Sequence, residues 1–156
     1  MTNTVQLPNN QMIFSVQELK DKGFSYYKIN QMVDKGILVK LNKNYYENAN
    51  FDGEESDFYY AYAFVPGGVV CLLSAAVYYN LSTYRPDAID VAIPRKAKVS
   101  TLPDWPELNV CYFTDDRFDV GIVTVEDGNN RFHIYDIEKT VVDIVFYREK
   151  KSLSGK

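Results

Sequence analysis

The sequence predicts an α+β protein in two units, and three observations carry that expectation. Between Ser15 and Gly36, two short helical patterns each end at a glycine. From Ile37 to Asn48 the apolar period changes from helical to alternating. Beyond Ser56, helical segments and alternating strand-like segments are interspersed to the end of the chain. The 46% hydrophobic content supports packed cores rather than disorder, and 156 residues suffice for one ordinary domain or two small ones.

In chain order, Ser15 and Glu18 have the spacing of a capping box at the start of "SVQELKDKG", and Gly23 is a suitable stop. Val16 and Leu19, three apart, are expected to face inward. Ser25 is placed to cap "YYKINQMVDKG", which stops at Gly36. Two helices separated only by Gly23, Phe24 and Ser25 have the helix-turn-helix arrangement. "ILVKLNKNYYEN" then reads as a hairpin turning at Asn42-Lys43-Asn44. Helix, turn, helix and hairpin together predict a winged helix-turn-helix over residues 1–50, with a further helix or strand ahead of Ser15.

"NANFDGEESD", polar and acidic, reads as the boundary to a mixed α/β unit over residues 51–156. There "SDFYYAYAF" predicts a helix capped by Ser56 or Asp57, and "GVVCLLSAAVYYNL" a buried helix. "VPGGVV" reads as the end of one helix and the start of the next. "AIDVAIPR", "LNVCYFT" and "VGIVTVED" predict strands. "DGNN" before "RFHIY" predicts a hairpin turn, and "TDDRFD" a turn between strands. "YDIEKTVVDIVFYREKK" puts Ile137, Val141, Ile144 and Val145 on one face of a closing helix.

Charge divides unevenly. Residues 1–50 carry six lysines against four acids, a balance of +2, and the remainder eleven basic against seventeen acidic residues, a balance of −6. A mildly basic head on an acidic body suggests nucleic acid at one end only. With Ile29, Met32, Val33 and Leu38 turned inward, the second helix is left to present Ser25, Tyr26, Tyr27, Lys28, Asn30, Gln31 and Lys35. Asn and Gln can pair with adenine edges, Lys with guanine or phosphate, and a helix start favours phosphate. Lys40 and Lys43 in the hairpin are placed to reach the DNA backbone. The competing reading of the same face is a solvated polar surface.

Signals for catalysis are thin. His133 is the only histidine, there is no Gly-x-Ser-x-Gly elbow, and the glycines of "VPGGVV" lack a following Lys-Ser/Thr. Asp115, Asp116 and Asp119 could bind a hard cation, but a turn uses the same residues without one. Cys71 and Cys111 have neither zinc spacing nor a disulfide framework. No catalytic residue, metal site or cofactor is therefore expected. The start of the chain has no pattern of a signal peptide, and Pro66-Gly67-Gly68 interrupts the most apolar stretch. A cytoplasmic protein without membrane association is expected.

Three landmarks, in order, add a family resemblance. "FSYYKINQMVDKGILVKLNKNYYE" resembles the N-terminal winged helix of the AbiEi-type antitoxins of type IV abortive-infection toxin–antitoxin systems. "LLSAAVYYNLSTYRPDAIDVAIPRKAK" is similar to that family's Ser-Ala helix and following strand at Ser74, Ala75, Tyr78, Leu81, Pro86, Val91, Pro94 and Arg95. "YDIEKTVVDIV" is similar to its final helix start at Glu138, Lys139, Thr140 and Asp143. Two departures stand out: Tyr78-Tyr79 replace a frequent histidine, and many relatives carry more C-terminal sequence. The resemblance implies an autorepressor that binds inverted repeats in its own promoter, with a dimer or paired half-sites for tight binding. It also implies an antitoxin that counteracts a nucleotidyltransferase-type toxin without a stable complex. Arg95, Lys96, Lys98, Glu138, Lys139 and Asp143 are the candidate antitoxic residues, although Glu138 can equally cap its helix and Asp143 pair with a base. The alternatives are a plain winged-helix regulator with a ligand-sensing domain, or a small enzyme with a helix-turn-helix docking module.

Overall fold

The computed structural model describes residues 7–53, 56–83, 86–99, 102–103 and 105–153, with side chains to Tyr147. Expectations that fall on residues 1–6, on Glu54-Glu55 of the boundary and on Tyr84-Arg85 lie outside the described residues. The fold is mixed α+β with two sheets.

The first sheet is three-stranded and antiparallel, in the order β1 (Ile13–Ser15), β3 (Tyr45–Asn48), β2 (Leu38–Lys40). Between β1 and β2 run α1 (Val16–Asp21) and α2 (Tyr26–Asp34). The capping box forms: the Glu18 amide donates to Ser15 Oγ at 3.0 Å, and the Ser15 amide to Glu18 Oε1 at 3.0 Å. Gly23 and Gly36 end the helices with φ of +98° and +77°, a region that costs other residues strain. Phe14, Leu19, Phe24, Ile29, Met32, Leu38 and Tyr46 close one core. Val33 only borders it, half-buried. The segment before Ser15 is thus a strand.

The second sheet is mixed, in the order β6-β5-β4-β8-β7, with β4 (Val69–Val70), β5 (Ile89–Pro94), β6 (Leu108–Phe113), β7 (Ile122–Asp127) and β8 (Asn130–Tyr135). The helices α3 (Asp57–Phe64), α4 (Leu72–Tyr78), α5 (Asp115–Phe118) and α6 (Ile137–Leu153) complete it. Ser56 caps α3, accepting from the Phe58 amide at 3.3 Å, and the hairpin after Asp127 turns on Gly128 at φ +63°. Three expectations are corrected. The run from Gly68 begins as a strand: β-branched Val69 and Val70 pair with Ala92 and Val91 on one side, and Val70 with Ile134 on the other, before the helix starts. "TDDRF" winds into the single helical turn α5 after Thr114 rather than an open turn. The cap of α6 is Asp136, whose Oδ1 accepts from the Lys139 amide at 2.8 Å, and Glu138 stands exposed. Gly68 has no room for a side chain, since a Cβ there would lie 2.4 Å from Val91 Cγ1.

β1 is the seam between the two cores. Ile13 packs with Tyr59, Val70, Ile134 and the second core, while Phe14 packs with the first, as alternation along a strand requires. Asn130 clasps the same seam: its Oδ1 accepts from the Met12 amide at 2.6 Å and its Nδ2 donates to the Asn10 carbonyl at 2.7 Å. Tyr60 Oη donates to Glu47 Oε2 at 2.7 Å, a third tie. Among the described residues no helix is long and apolar enough to cross a membrane.

Candidate nucleic-acid interface

The surface begins with α2. Ile29 and Met32 are buried beneath it and Val33 borders the same core, while Tyr26, Tyr27, Lys28, Asn30 and Asp34 turn outward. Ser25 caps the helix by accepting from the Lys28 amide at 3.2 Å, which leaves Tyr26, Tyr27, Lys28 and Asn30 exposed on and beyond the first turn. Gln31 is half-buried, and its amide nitrogen donates to Tyr27 Oη at 3.1 Å. That bond holds the most exposed ring of the helix upright at 73% exposure. Lys35 is the C-cap residue and is exposed at the far end. A cation there suits the helix dipole, so its position has an ordinary helical explanation as well.

The hairpin brings Lys40 to the end of β2 and Lys43 to the turn, both exposed. Asn42 builds that turn. Its Oδ1 accepts from the Asn44 and Tyr45 amides, both at 2.9 Å. Its Nδ2 donates to the Ala63 carbonyl of α3 at 3.2 Å, fixing the turn against the second unit.

A groove of about 490 Å³ joins the two parts, with Ser15, Gln17, Lys20, Tyr26, Asn44 and Pro66 along it. Lys20 was not among the residues expected from the sequence. Its Nζ lies 3.9 Å over the Tyr26 ring, which sets a cation beside the start of α2. The signal was present in the sequence only as an exposed lysine in the last turn of α1, a position the dipole explains without any ligand.

The residues expected to act in the second unit divide in two. Arg95, Lys96 and Lys98 follow β5 and are exposed. Lys98 shares a cleft with Lys43 of the hairpin, although 55 positions separate them in the chain. Lys139 and Asp143, by contrast, are buried against each other. Lys139 Nζ lies 2.5 Å from Asp143 Oδ2, and Arg117 Nη2 lies 2.6 Å from Asp143 Oδ1. Lys139 also sits over the Tyr135 ring at 4.3 Å, and Tyr135 Oη donates to the Phe118 carbonyl at 2.6 Å. Burial pushes the Tyr135 hydroxyl far up from its ordinary range, and does the same to the adjoining Cys71 thiol. The hydrogen bond with Cys71 moves the Cys111 thiol down. This is an internal polar cluster that joins α5, α6 and the sheet, and neither Lys139 nor Asp143 is presented to a partner.

Asp115, Asp119, His133 and Glu138 line neither of these two clefts. His133 Nδ1 pairs with Thr124 Oγ1 at 2.9 Å across the β7–β8 hairpin, and burial lowers its pKa. Among the described residues no group of three acids, cysteines and histidines is placed to hold a metal ion. No family model matches the chain, and no curated protein matches it either.

Proposed function

We propose that the protein is a DNA-binding autorepressor and antitoxin of the AbiEi type, with residues 11–48 acting as a winged helix-turn-helix. The observation that carries this reading is the groove in which the start of α2 and the hairpin turn meet, with Lys20 over Tyr26 and with Tyr27, Lys28 and Asn30 exposed on the same helix. In this reading α2 enters the major groove, Lys28 and Asn30 reach base edges, and Lys40 and Lys43 contact phosphates from the wing. The charge balance of +2 in residues 1–50 is modest, so paired half-sites on an inverted repeat supply the remaining affinity. The second unit neutralises a nucleotidyltransferase-type toxin, and the exposed residues available for that are Arg95, Lys96, Lys98 and Glu138.

The test is gel-shift titration of the chain against the DNA upstream of its own gene at several salt concentrations. Binding is expected to weaken steeply with salt. Lys28→Ala with Asn30→Ala should lower affinity by at least about tenfold, since a good base contact contributes roughly 1–3 kcal/mol. Unchanged binding by that pair sinks the assignment of α2. For the antitoxin half, co-expression with an adjacent nucleotidyltransferase-type gene should restore growth that the gene alone arrests.

A further inference from the structure

The cleft that holds Lys43 and Lys98 lies between the hairpin turn and the second unit and has a volume of about 690 Å³, inside the range of small-molecule sites. Val65 and Ile93 are its buried floor, and Leu41, Ala97 and Val99 its half-buried sides. The polar lining residues are Lys43 and Lys98, with Asn42, Asn44 and Tyr45. Among the described residues no Asp or Glu lines it, although acids outnumber bases in the chain, 21 to 17. The wall on the hairpin side is preformed, because Asn42 bonds the Asn44 and Tyr45 amides and the Ala63 carbonyl at once. A preformed wall lowers the ordering cost of binding.

We infer that this cleft binds a small amphipathic anion, an alkyl or aryl carboxylate, with its apolar body against Leu41, Ala97 and Val99 and its charged end held between Lys43 and Lys98. The chemistry selects that class. The half-buried apolar sides reward an apolar body, by about 25 cal/mol per Å² removed from water. Two lysines, with no carboxylate beside them among the described residues, reward one negative charge and repel a cation. A DNA strand would use the lysines and leave the apolar sides uncovered, since phosphates and sugars supply little to cover them. The site goes beyond the DNA-binding reading and does not depend on it.

Calorimetric titration of the whole chain with sodium octanoate, 1-octanol and octyltrimethylammonium, each below its micelle threshold, tests the proposal. Octanoate is expected to bind saturably at one site in the millimolar range or tighter, 1-octanol more weakly, and the cation not at all. Lys43→Met with Lys98→Met should weaken octanoate by at least about tenfold, or 1.4 kcal/mol, and leave 1-octanol unchanged. Ala97→Trp, which fills the cleft, should abolish both. The lysine replacements are on exposed side chains and keep the test open if Ala97→Trp does not fold. The proposal falls if octanoate shows no saturable binding, or if the cation binds as well as the anion. It falls equally if octanoate binding survives the double lysine replacement, including the case where that variant loses only duplex DNA.

Discussion

α2 and α6 obey opposite rules. α2 buries Ile29 and Met32 and exposes its tyrosines, Lys28 and Asn30. α6 buries Lys139, Thr140 and Asp143 and leaves Ile137, Val141 and Val145 exposed at 47%, 46% and 51%. Of the apolar stripe that marks α6 as a helix only Ile144 is half-buried, so most of that face is not what holds it. It is held by a charged cluster and a ring: Asp143, 1% exposed at its side chain, is gripped by Lys139 and Arg117, Thr140 Oγ1 donates to the Tyr135 carbonyl, and Tyr147 stacks on Phe113 with centroids 5.4 Å apart. A buried carboxylate with two cations is costly to assemble and still costlier to leave half-assembled. The two helices teach that periodicity reports the element, while the direction it faces depends on what the neighbouring elements offer.

The largest break in that comparison is expected from Asp143→Ala. It strands two buried or half-buried cations and should cost about 3–5 kcal/mol in urea unfolding. Replacing Arg117, Lys139 and Asp143 together by apolar residues of similar size should recover most of that loss, because the pairing offsets its own desolvation only in part. Next comes Ile29→Ala, the matching cut in α2. It opens a cavity in a closed core and should lower stability by about 2–4 kcal/mol by the same measurement. Ser15→Ala removes a cap shared by two reciprocal bonds and is expected to cost about 1 kcal/mol, read as a lower thermal midpoint. Smallest is Val141→Ser with Val145→Ser. On an ordinary amphipathic helix that pair would be severe, but here it should stay within about 0.5 kcal/mol of the parent. A loss comparable to Ile29→Ala would show that the α6 stripe is covered after all.

Much of this was legible in the sequence, for physical reasons that can be named. Ser15, Glu18, Gly23, Ser25 and Gly36 act through local backbone bonds, so their spacing alone placed α1 and α2. Asn42 and Asp127-Gly128 placed the two hairpins in the same way. Val69 and Val70 were misread, since a two-residue strand is defined by Val91, Ala92 and Ile134, all distant in the chain. The fate of Lys139 and Asp143 depended on Arg117, which a reading of local pattern cannot bring to them. Of the candidate interface, the exposed polar positions of α2 were evident. Lys20 was not, because its partner Tyr26 belongs to another helix. The shared cleft of Lys43 and Lys98 was also hidden, as its two lysines lie far apart in the chain and meet only in the folded arrangement.

The seam at β1 has a consequence for how the chain can be cut. Ile13 and Phe14, adjacent residues, belong to different cores, and Asn130 grips the backbone on either side of Gln11. The peptide link near Gly53 is thus not what keeps the halves together. A protein nicked there would run as one particle, its two fragments separating only when denatured, and the early segment would behave as a guest strand already seated in its host.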